Sequence, residues 1–405
     1  MSLQSFVAHQ VPLPDDTLAL ALEGYAFIGN RCRAIGTDVF ETRFMLQRTI
    51  CMIGSEAARV FYDGERMQRE GAAPLRVQAT LFGRGGVQTL DGEIHRRRKQ
   101  LFMSLLAPES VSRLVGLFEH GLRDSIAHWP VRVPLFDALQ DVLARVVCEW
   151  AGLRIDDDRR VRDIVAMIEG AGGAGPLHWR GRVGRARAEW WLERQIEEVR
   201  EARLQPLGAL GAFAASDLDR RTAAVELLNV IRPTVAVARY IVFCAHALHE
   251  FPHAAELVRE EEYLEPFVQE VRRFYPFFPA VAARVHRGFT WHDIDFAEGA
   301  RVLLDLYGSN HDPRTWPDPD QFRPERFVGW QGDPFTLIPQ GAGDTATGHR
   351  CPGEQLTIEL MKTAVQLFTQ RIAYEVPAQD LHISLARMPA LPASRFLVEN
   401  VQLVS

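Results

Sequence analysis

The chain has 405 residues, 47% of them hydrophobic, and a formal net charge of −6. That composition supplies a large core and excludes a disordered chain, and the acidic balance gives no reason to expect nucleic acid. Five singly scattered cysteines suit a reducing cytosol, and the start, MSLQSFVAHQVPLPDD, lacks the charged-then-apolar order of a signal peptide, so a soluble cytoplasmic protein is expected.

Pro12 and Pro14 precede a helical start at Leu18 to Leu22, and β-type runs near Tyr25 to Ile28 and Val39 to Met45 predict a small sheet beside a helical body. From Phe61 the pattern is helical until Gly83, Gly85 and Gly86 break it. This places Gln88 on a loop between two helices, where pocket-lining residues are common. His95 and Lys99 follow, one helical turn apart and on one face. Helical periodicity continues over Val111 to His128, Leu135 to Trp150 and Arg159 to Glu169, with Asp156 to Asp158 as an acidic cap. Basic runs at Arg96 to Lys99 and Arg180 to Arg187 read as solvated helix faces. Gly170 to Gly175 has the letters of a dinucleotide loop, but it follows a helical pattern where that loop needs a strand, so it reads as a connection between helices.

The longest helical pattern, Ala223 to His249, is apolar almost all round, the mark of a helix through the middle of a fold. Interrupted by Arg239, it reads as buried helix and not as a membrane span. Within it Arg232 places a permanent cation, and Pro233 withholds an N–H from the Asn229 carbonyl, which costs ~3 kcal/mol in a helix interior. A core carboxylate is one partner that would offset the cation; an anionic ligand is another. Thr234 reads as helix filling, and Arg239, two turns on, as facing the same side as Arg232.

Glu270 and Arg273 form an i,i+3 pair, and the aromatic, proline-rich run from Phe274 to Pro279 cannot stay helical. Arg284 to Trp291 and Ala300 to Tyr307 predict strands, Asp312 to Pro334 a proline-rich coil, and Phe396 to Leu403 a last hairpin whose loop reaches toward a ligand. Between them Pro339 to Glu354, PQGAGDTATGHRCPGE, sets Cys351 at the end of a glycine-rich loop. A helix with the apolar stripe Ile358, Met361, Val365 and Phe368 follows. A helix start stabilises a thiolate, and a thiolate is a metal ligand or a nucleophile. A zinc site fails on spacing, since Cys32, Cys51, Cys148 and Cys244 offer no C-x-x-C. A buried structural cysteine, and a nucleophile served by a distant His, stay open on the residues alone.

Gly348-His349-Arg350-Cys351-Pro352-Gly353 resembles the haem-binding loop of the cytochrome P-450 superfamily. Glu270-Val271-Arg272-Arg273 resembles its E-x-x-R segment, and Pro324-Glu325-Arg326-Phe327 the segment that closes a Glu-Arg-Arg network behind the haem. The likeness covers nearly the whole chain. Val87 to Gly92, Asn229 to Pro233 and the His-Arg-Cys-Pro order are similar to one branch, the bacterial fatty-acid peroxygenases that use hydrogen peroxide. The resemblance implies a mainly α fold with a minor β-sheet region, one domain over residues 1–405, and haem b between a long central helix and the Cys351 loop.

The resemblance also implies roles. Cys351 would ligate iron and favour O–O cleavage. Arg69, His95, Lys99 and Arg350 would contact the haem, with Arg350 a departure, because the superfamily usually sets this arginine two residues before the cysteine. Glu270, Arg273 and Arg326 would form the structural network. Arg232 would pair with a fatty-acid carboxylate beside Pro233, so that this carboxylate replaces the acid-alcohol pair of oxygen-activating members. Phe82 and Gln88 would line the same site, Gln88 standing where hydroxylating members carry glutamine and the best-known alkene-forming one carries histidine. The implied reaction is hydroxylation of a long-chain fatty acid at the α or β carbon by hydrogen peroxide, with no membrane span and no obligatory reductase. The alternatives are a decarboxylase forming terminal alkenes, a redox-partner-driven monooxygenase, and a non-catalytic haem sensor or fatty-acid carrier.

Overall fold

Apolar side chains on every face force one segment into the middle of the molecule. In the computed structural model, which describes residues 14–171, 175–204 and 206–404, this segment is the helix Arg220–Ala236, continued by Ala238–Glu250. Pro12, the leader reading and positions 172–174 lie outside the described residues. From Ala223 to Val235 every residue but Pro233 is buried. Helical bonding lapses at Val237, four residues after the proline, where the Val237 N–H bonds the Thr234 carbonyl at 3.2 Å. Taken singly, this is the described helix that is long and apolar enough to cross a membrane, and 89% of its apolar window is buried inside the protein.

The helices Gly92–Leu105, Pro108–Ile126, Leu135–Trp150, Asp158–Glu169, Pro176–Glu201, Glu261–Phe274 and Glu354–Gln370 share one apolar core with it. The amphipathic pattern read over Leu135 to Trp150 is matched residue for residue, and the Asp157 carboxylate caps its helix by accepting the Arg159 N–H at 2.7 Å. Helices Asp158–Glu169 and Pro176–Glu201 meet at a seam of small residues. A Cβ on Gly184 would fall 2.6 Å from the Asp163 carbonyl oxygen, so glycine is what allows this approach.

The β structure is minor. Five strands run in the order Val39–Phe44, Gln47–Ile53, Arg301–Asp305, Ala280–Val285, Met67–Gln68, antiparallel except between Gln47–Ile53 and Arg301–Asp305. A three-stranded sheet places Leu397–Leu403 between Arg132–Pro134 and Ile372–Glu375. Three expectations are corrected. Tyr25 to Ile28 is not a strand: Gly24–Ala26 is a 3-10 turn leading into the helix Phe27–Ile35, whose buried Ile28 and Cys32 recur at helical spacing. Arg284 to Trp291 divides into Ala280–Val285 and a separate hairpin strand Phe289–Trp291. Phe396 to Leu403 supplies one strand paired with remote segments, not a hairpin.

Buried on the helix Glu261–Phe274, the Glu270 carboxylate accepts from Arg273 Nε and Nη2 at 2.7 and 2.8 Å, from the Arg323 backbone N–H at 2.8 Å, and from Arg326 Nε at 3.3 Å. Arg273 Nη1 donates to the Asn310 and Pro319 carbonyls at 3.0 Å, which ties the helix to the coil holding Pro324–Phe327. Removing one partner leaves the other charge buried and uncompensated. Glu270→Ala is therefore expected to cost about 3–5 kcal/mol in urea unfolding. Glu119→Ala, which loses an exposed pair with Arg123 at 3.7 Å, should cost less than about 1 kcal/mol; equal losses would contradict the assignment.

Candidate active site

Gly341 and Gly343, at φ +97° and +82°, turn the chain where a Cβ on Gly341 would meet the Tyr62 hydroxyl at 2.7 Å. The turn delivers Cys351 three residues ahead of the helix Glu354–Gln370, whose Ile358, Met361, Val365 and Phe368 are all buried. The Cys351 N–H donates to the Gln340 carbonyl at 3.1 Å, and the Gln340 amide lies 3.8 Å from Sγ. The Gly353 N–H is near enough to pull the thiol pKa down. Burial, with Glu354 behind it, pushes the thiol pKa up by more than Gly353 N–H, Lys99 and Arg272 pull it down. A bound cationic centre would reverse that balance. Among the described residues no imidazole hydrogen-bonds the sulfur, as a nucleophilic cysteine would need, and no group of His, Cys, Asp and Glu is placed to hold a bare metal ion.

Beside this loop the structure gathers Arg69, His95 and Lys99. Lys99 Nζ donates to the Gly348 carbonyl at 2.9 Å and to the Arg350 carbonyl, and burial lowers its pKa to about 8. The His95 ring stacks on His349 at 4.0 Å; burial, then His349 and Lys99, lowers its pKa to about 3, so it is neutral here. The Arg69 guanidinium lies over the Phe61 and Tyr62 rings at 4.3 and 4.9 Å. Asp91 joins them, 3.4 Å from His349 Nε2; burial works against its ionisation, but His349 and the Arg69 and Glu70 N–H groups hold it at about 2. Arg350 does not join the group: Glu354 and the Pro334 carbonyl take its N–H bonds.

Arg232, on the central helix, is 6% exposed. Among the described residues no hydrogen bond or ion pair engages its guanidinium, and Nε is buried without a partner. Burial, then repulsion from Arg185, lowers its pKa to about 9, so the cation is held at a cost. Three residues earlier, Asn229 shares its amide N–H bonds among the Phe82 carbonyl at 2.9 Å, Glu226 Oε2 at 3.0 Å and Gln88 Oε1 at 3.3 Å. Phe82 ends the π-turn Gln78–Phe82, and Gln88 lies on the short 3-10 turn Val87–Thr89, as the glycine break implied. Glu226 is buried and paired with Arg98. Thr234 Oγ1 bonds the Val230 carbonyl at 3.2 Å, as helix filling does.

Two readings change. Arg239 does not share the surroundings of Arg232: its guanidinium lies 5.2 Å from the Phe136 ring centroid among Tyr25, Glu169, Arg387 and Arg395. The break at Val237 comes between them and interrupts the helical register. The basic runs are not wholly solvated faces either, since Lys99 and Arg185 are buried. Sequence reasoning also missed Glu226, although a lone carboxylate six residues before Arg232 in an apolar helix is a visible signal.

Known proteins fit this geometry. The family description "Cytochrome P-450" matches residues 253–399. A solved structure of Cytochrome P-450SP alpha (CYP152B1) superposes with a TM-score of 0.94 at 47% identity, over 97% of this chain and 100% of that one. Cytochrome P-450EX alpha (CYP152N1) with myristic acid gives 0.94 at 42% identity, over 98% and 100%. Curated relatives align over less: with Cytochrome P-450 71A8 of Mentha piperita the identity is 27% over 35% of this chain, which spans 28% of that relative's length. The chain belongs to the cytochrome P-450 family, whose cofactor is a haem-thiolate iron. The donors at Cys351 suit a thiolate, and the neighbouring Arg69, His95 and Lys99 suit a group with anionic side arms.

An unpaired buried cation destabilises the ligand-free protein, so an apolar residue of similar length should relieve it. Arg232→Leu is expected to raise the unfolding free energy of the ligand-free holoprotein by about 1–4 kcal/mol. A loss in chemical denaturation would mean that Arg232 already has a partner.

Proposed function

We propose that the protein hydroxylates long-chain fatty acids at the α or β carbon with hydrogen peroxide, as one haem-thiolate domain spanning residues 1–405 in the cytoplasm. The observation that carries this reading is the unpaired, buried Arg232 beside a proline-broken turn of the central helix. The structural neighbour solved with myristic acid supports the substrate class. When bound, haem b with a thiolate ligand supplies electron density that favours O–O cleavage. Cys351 is its ligand and Arg69, His95 and Lys99 hold its edge; the bonds Arg350 makes to Glu354 leave that residue to support the loop. Glu270, Arg273 and Arg326 brace the fold behind the site.

Arg232 takes the substrate carboxylate, in the bidentate geometry that guanidinium favours. Pro233 leaves the Asn229 carbonyl without its helical N–H at this point. One carboxylate oxygen then accepts the peroxide proton and returns it, the work done elsewhere in the family by an acid-alcohol pair. Thr234 cannot replace it, being turned to the Val230 carbonyl. The clamp also fixes the first carbons of the chain, which sets the position attacked. Phe82 and Gln88 are tied to the central helix by Asn229, whose amide donates to the Phe82 carbonyl and to Gln88 Oε1. An amide holds no titratable proton, which favours the hydroxy acid over the decarboxylated alkene.

Incubation of the holoprotein with saturated fatty acids and hydrogen peroxide, without reductase, should give 2- or 3-hydroxy acids. Arg232→Ala should lose about 2–5 kcal/mol of substrate binding and nearly all turnover at normal haem content. Terminal alkene as the main product, or turnover only with a reductase, would replace this reading with one of its rivals. Haem and fatty-acid binding without any turnover would make the protein a sensor or carrier.

A further inference from the structure

The helix Pro176–Glu201 has two opposed faces. Gly181, Gly184, Ala188, Trp191 and Leu192 are buried on its inner side. On the outer side Trp179, Val183, Ala186 and Trp190 recur at steps of four, three and four, so they form one stripe along the helix, and all four are exposed. The two tryptophans are 60% and 56% exposed and Val183 is 43% exposed. Tryptophan is highly buried on average, and a row of large apolar side chains left in water marks a surface that meets a partner.

Cations flank the stripe. By helical spacing Arg182 stands on one side and Arg180 and Arg187 on the other. The Arg182 guanidinium lies 4.7 Å from the Trp179 ring centroid, and that of Arg194 5.2 Å from Trp190. Between this helix and Asp158–Glu169 is a cavity of about 470 Å³, walled by Trp179 and by Arg159, Arg162, Arg180 and Arg187. Asp163 is the one carboxylate in its wall, buried and held by Arg187 at 3.3 Å. Four guanidinium groups thus face one carboxylate. Among the described residues no hydrogen bond or ion pair engages the side chains of Arg159, Arg162 or Arg180. Asp137, Asp141 and Glu169, which line the next cavity with Arg162 and Arg180, are already bonded to Arg395 and Arg145.

The partner has to meet both features. A soluble anion would use the charged cavity and leave the tryptophan stripe in water. A second copy meeting this face about a two-fold axis would set arginine against arginine. The surface of an anionic bilayer offers phosphates to the guanidinium groups and acyl chains to the stripe below them. We propose that this face docks the protein peripherally on anionic phospholipid, with Trp179, Val183 and Trp190 entering the acyl boundary and a lipid phosphate seated among Arg159, Arg162 and Arg180. The attraction is local, since the chain as a whole carries a net charge of −6. Long-chain fatty acids partition into the same layer, so docking places the enzyme where its proposed substrate collects; the docking itself does not depend on that reaction.

The test is co-sedimentation of the holoenzyme with vesicles of phosphatidylcholine alone and of phosphatidylcholine mixed with phosphatidylglycerol. At low salt the mixed vesicles should bind at least about tenfold more tightly, and high salt should release the protein. The double variant Trp179→Ala, Trp190→Ala and the double variant Arg162→Gln, Arg180→Gln should each weaken binding to the mixed vesicles at least about tenfold. Both should keep peroxide turnover of dodecanoic acid without vesicles within about twofold of the parent, because these side chains are exposed and outside the haem site. Equal binding to both vesicle types, or unchanged binding by either variant, would overturn the proposal. Free glycerol 3-phosphate, the soluble head group, binding as tightly as the vesicles would make the cavity a soluble-anion site. A dimer seen without vesicles and abolished by the tryptophan variant would make the face a contact between copies. Either of these results also overturns it.

Discussion

A guanidinium taken out of water without a counter-charge is among the least favourable things a fold can hold, and Arg232, like Arg239, is one. Arg232 is kept buried by a helix apolar on every face, and that helix is held by its neighbours in a shared core. The fold cannot relieve the charge by local rearrangement, because Glu226 is already committed to Arg98 and Asn229. In the function proposed for the protein, relief comes from a ligand. A fatty acid supplies one negative charge at one end and an apolar chain at the other, which is what a buried cation in apolar surroundings requires.

The cysteine loop presents the same logic with the opposite sign. Burial pushes the Cys351 thiol pKa up, and the Gln340 amide lies 3.8 Å from the sulfur. Both halves of the site therefore bury a group that the protein itself does not balance: the Arg232 cation on the central helix and the Cys351 sulfur on the loop. Each imbalance converts to binding free energy when its partner arrives. The Glu270 network, fully satisfied and dry, differs from both, and that difference separates a brace from a site.

What was legible in the sequence was whatever depends on local spacing. The helix Leu135–Trp150, the apolar stripe after Cys351, the Gln88 turn and the proline-broken central helix follow from periodicity and from glycine and proline positions. What depends on remote partners was not. Phe396 to Leu403 reads as a hairpin until Arg132–Pro134, more than two hundred positions earlier, is seen beside the single strand Leu397–Leu403. Tyr25 to Ile28 carries β-type residues, yet its neighbours bury it at helical spacing. Arg185 looked solvated because four arginines in eight residues usually are; only the glycine seam reveals which of them is turned inward. Arg239 kept the right count from Arg232 but lost its register at Val237, a break that follows from the proline only once the helix is built.

The central claim is that the substrate carboxylate binds as an anion paired with buried guanidinium. Carbon-13 NMR of a fatty acid labelled at its carboxyl carbon, bound to the holoprotein and titrated with acid, tests it directly. Burial alone raises a carboxyl pKa, whereas an adjacent cation lowers it by about 1–3 units. The account predicts that the bound carboxyl stays ionised at least about one pH unit below the free acid; a bound carboxyl that protonates at or above the pH of the free acid would contradict it.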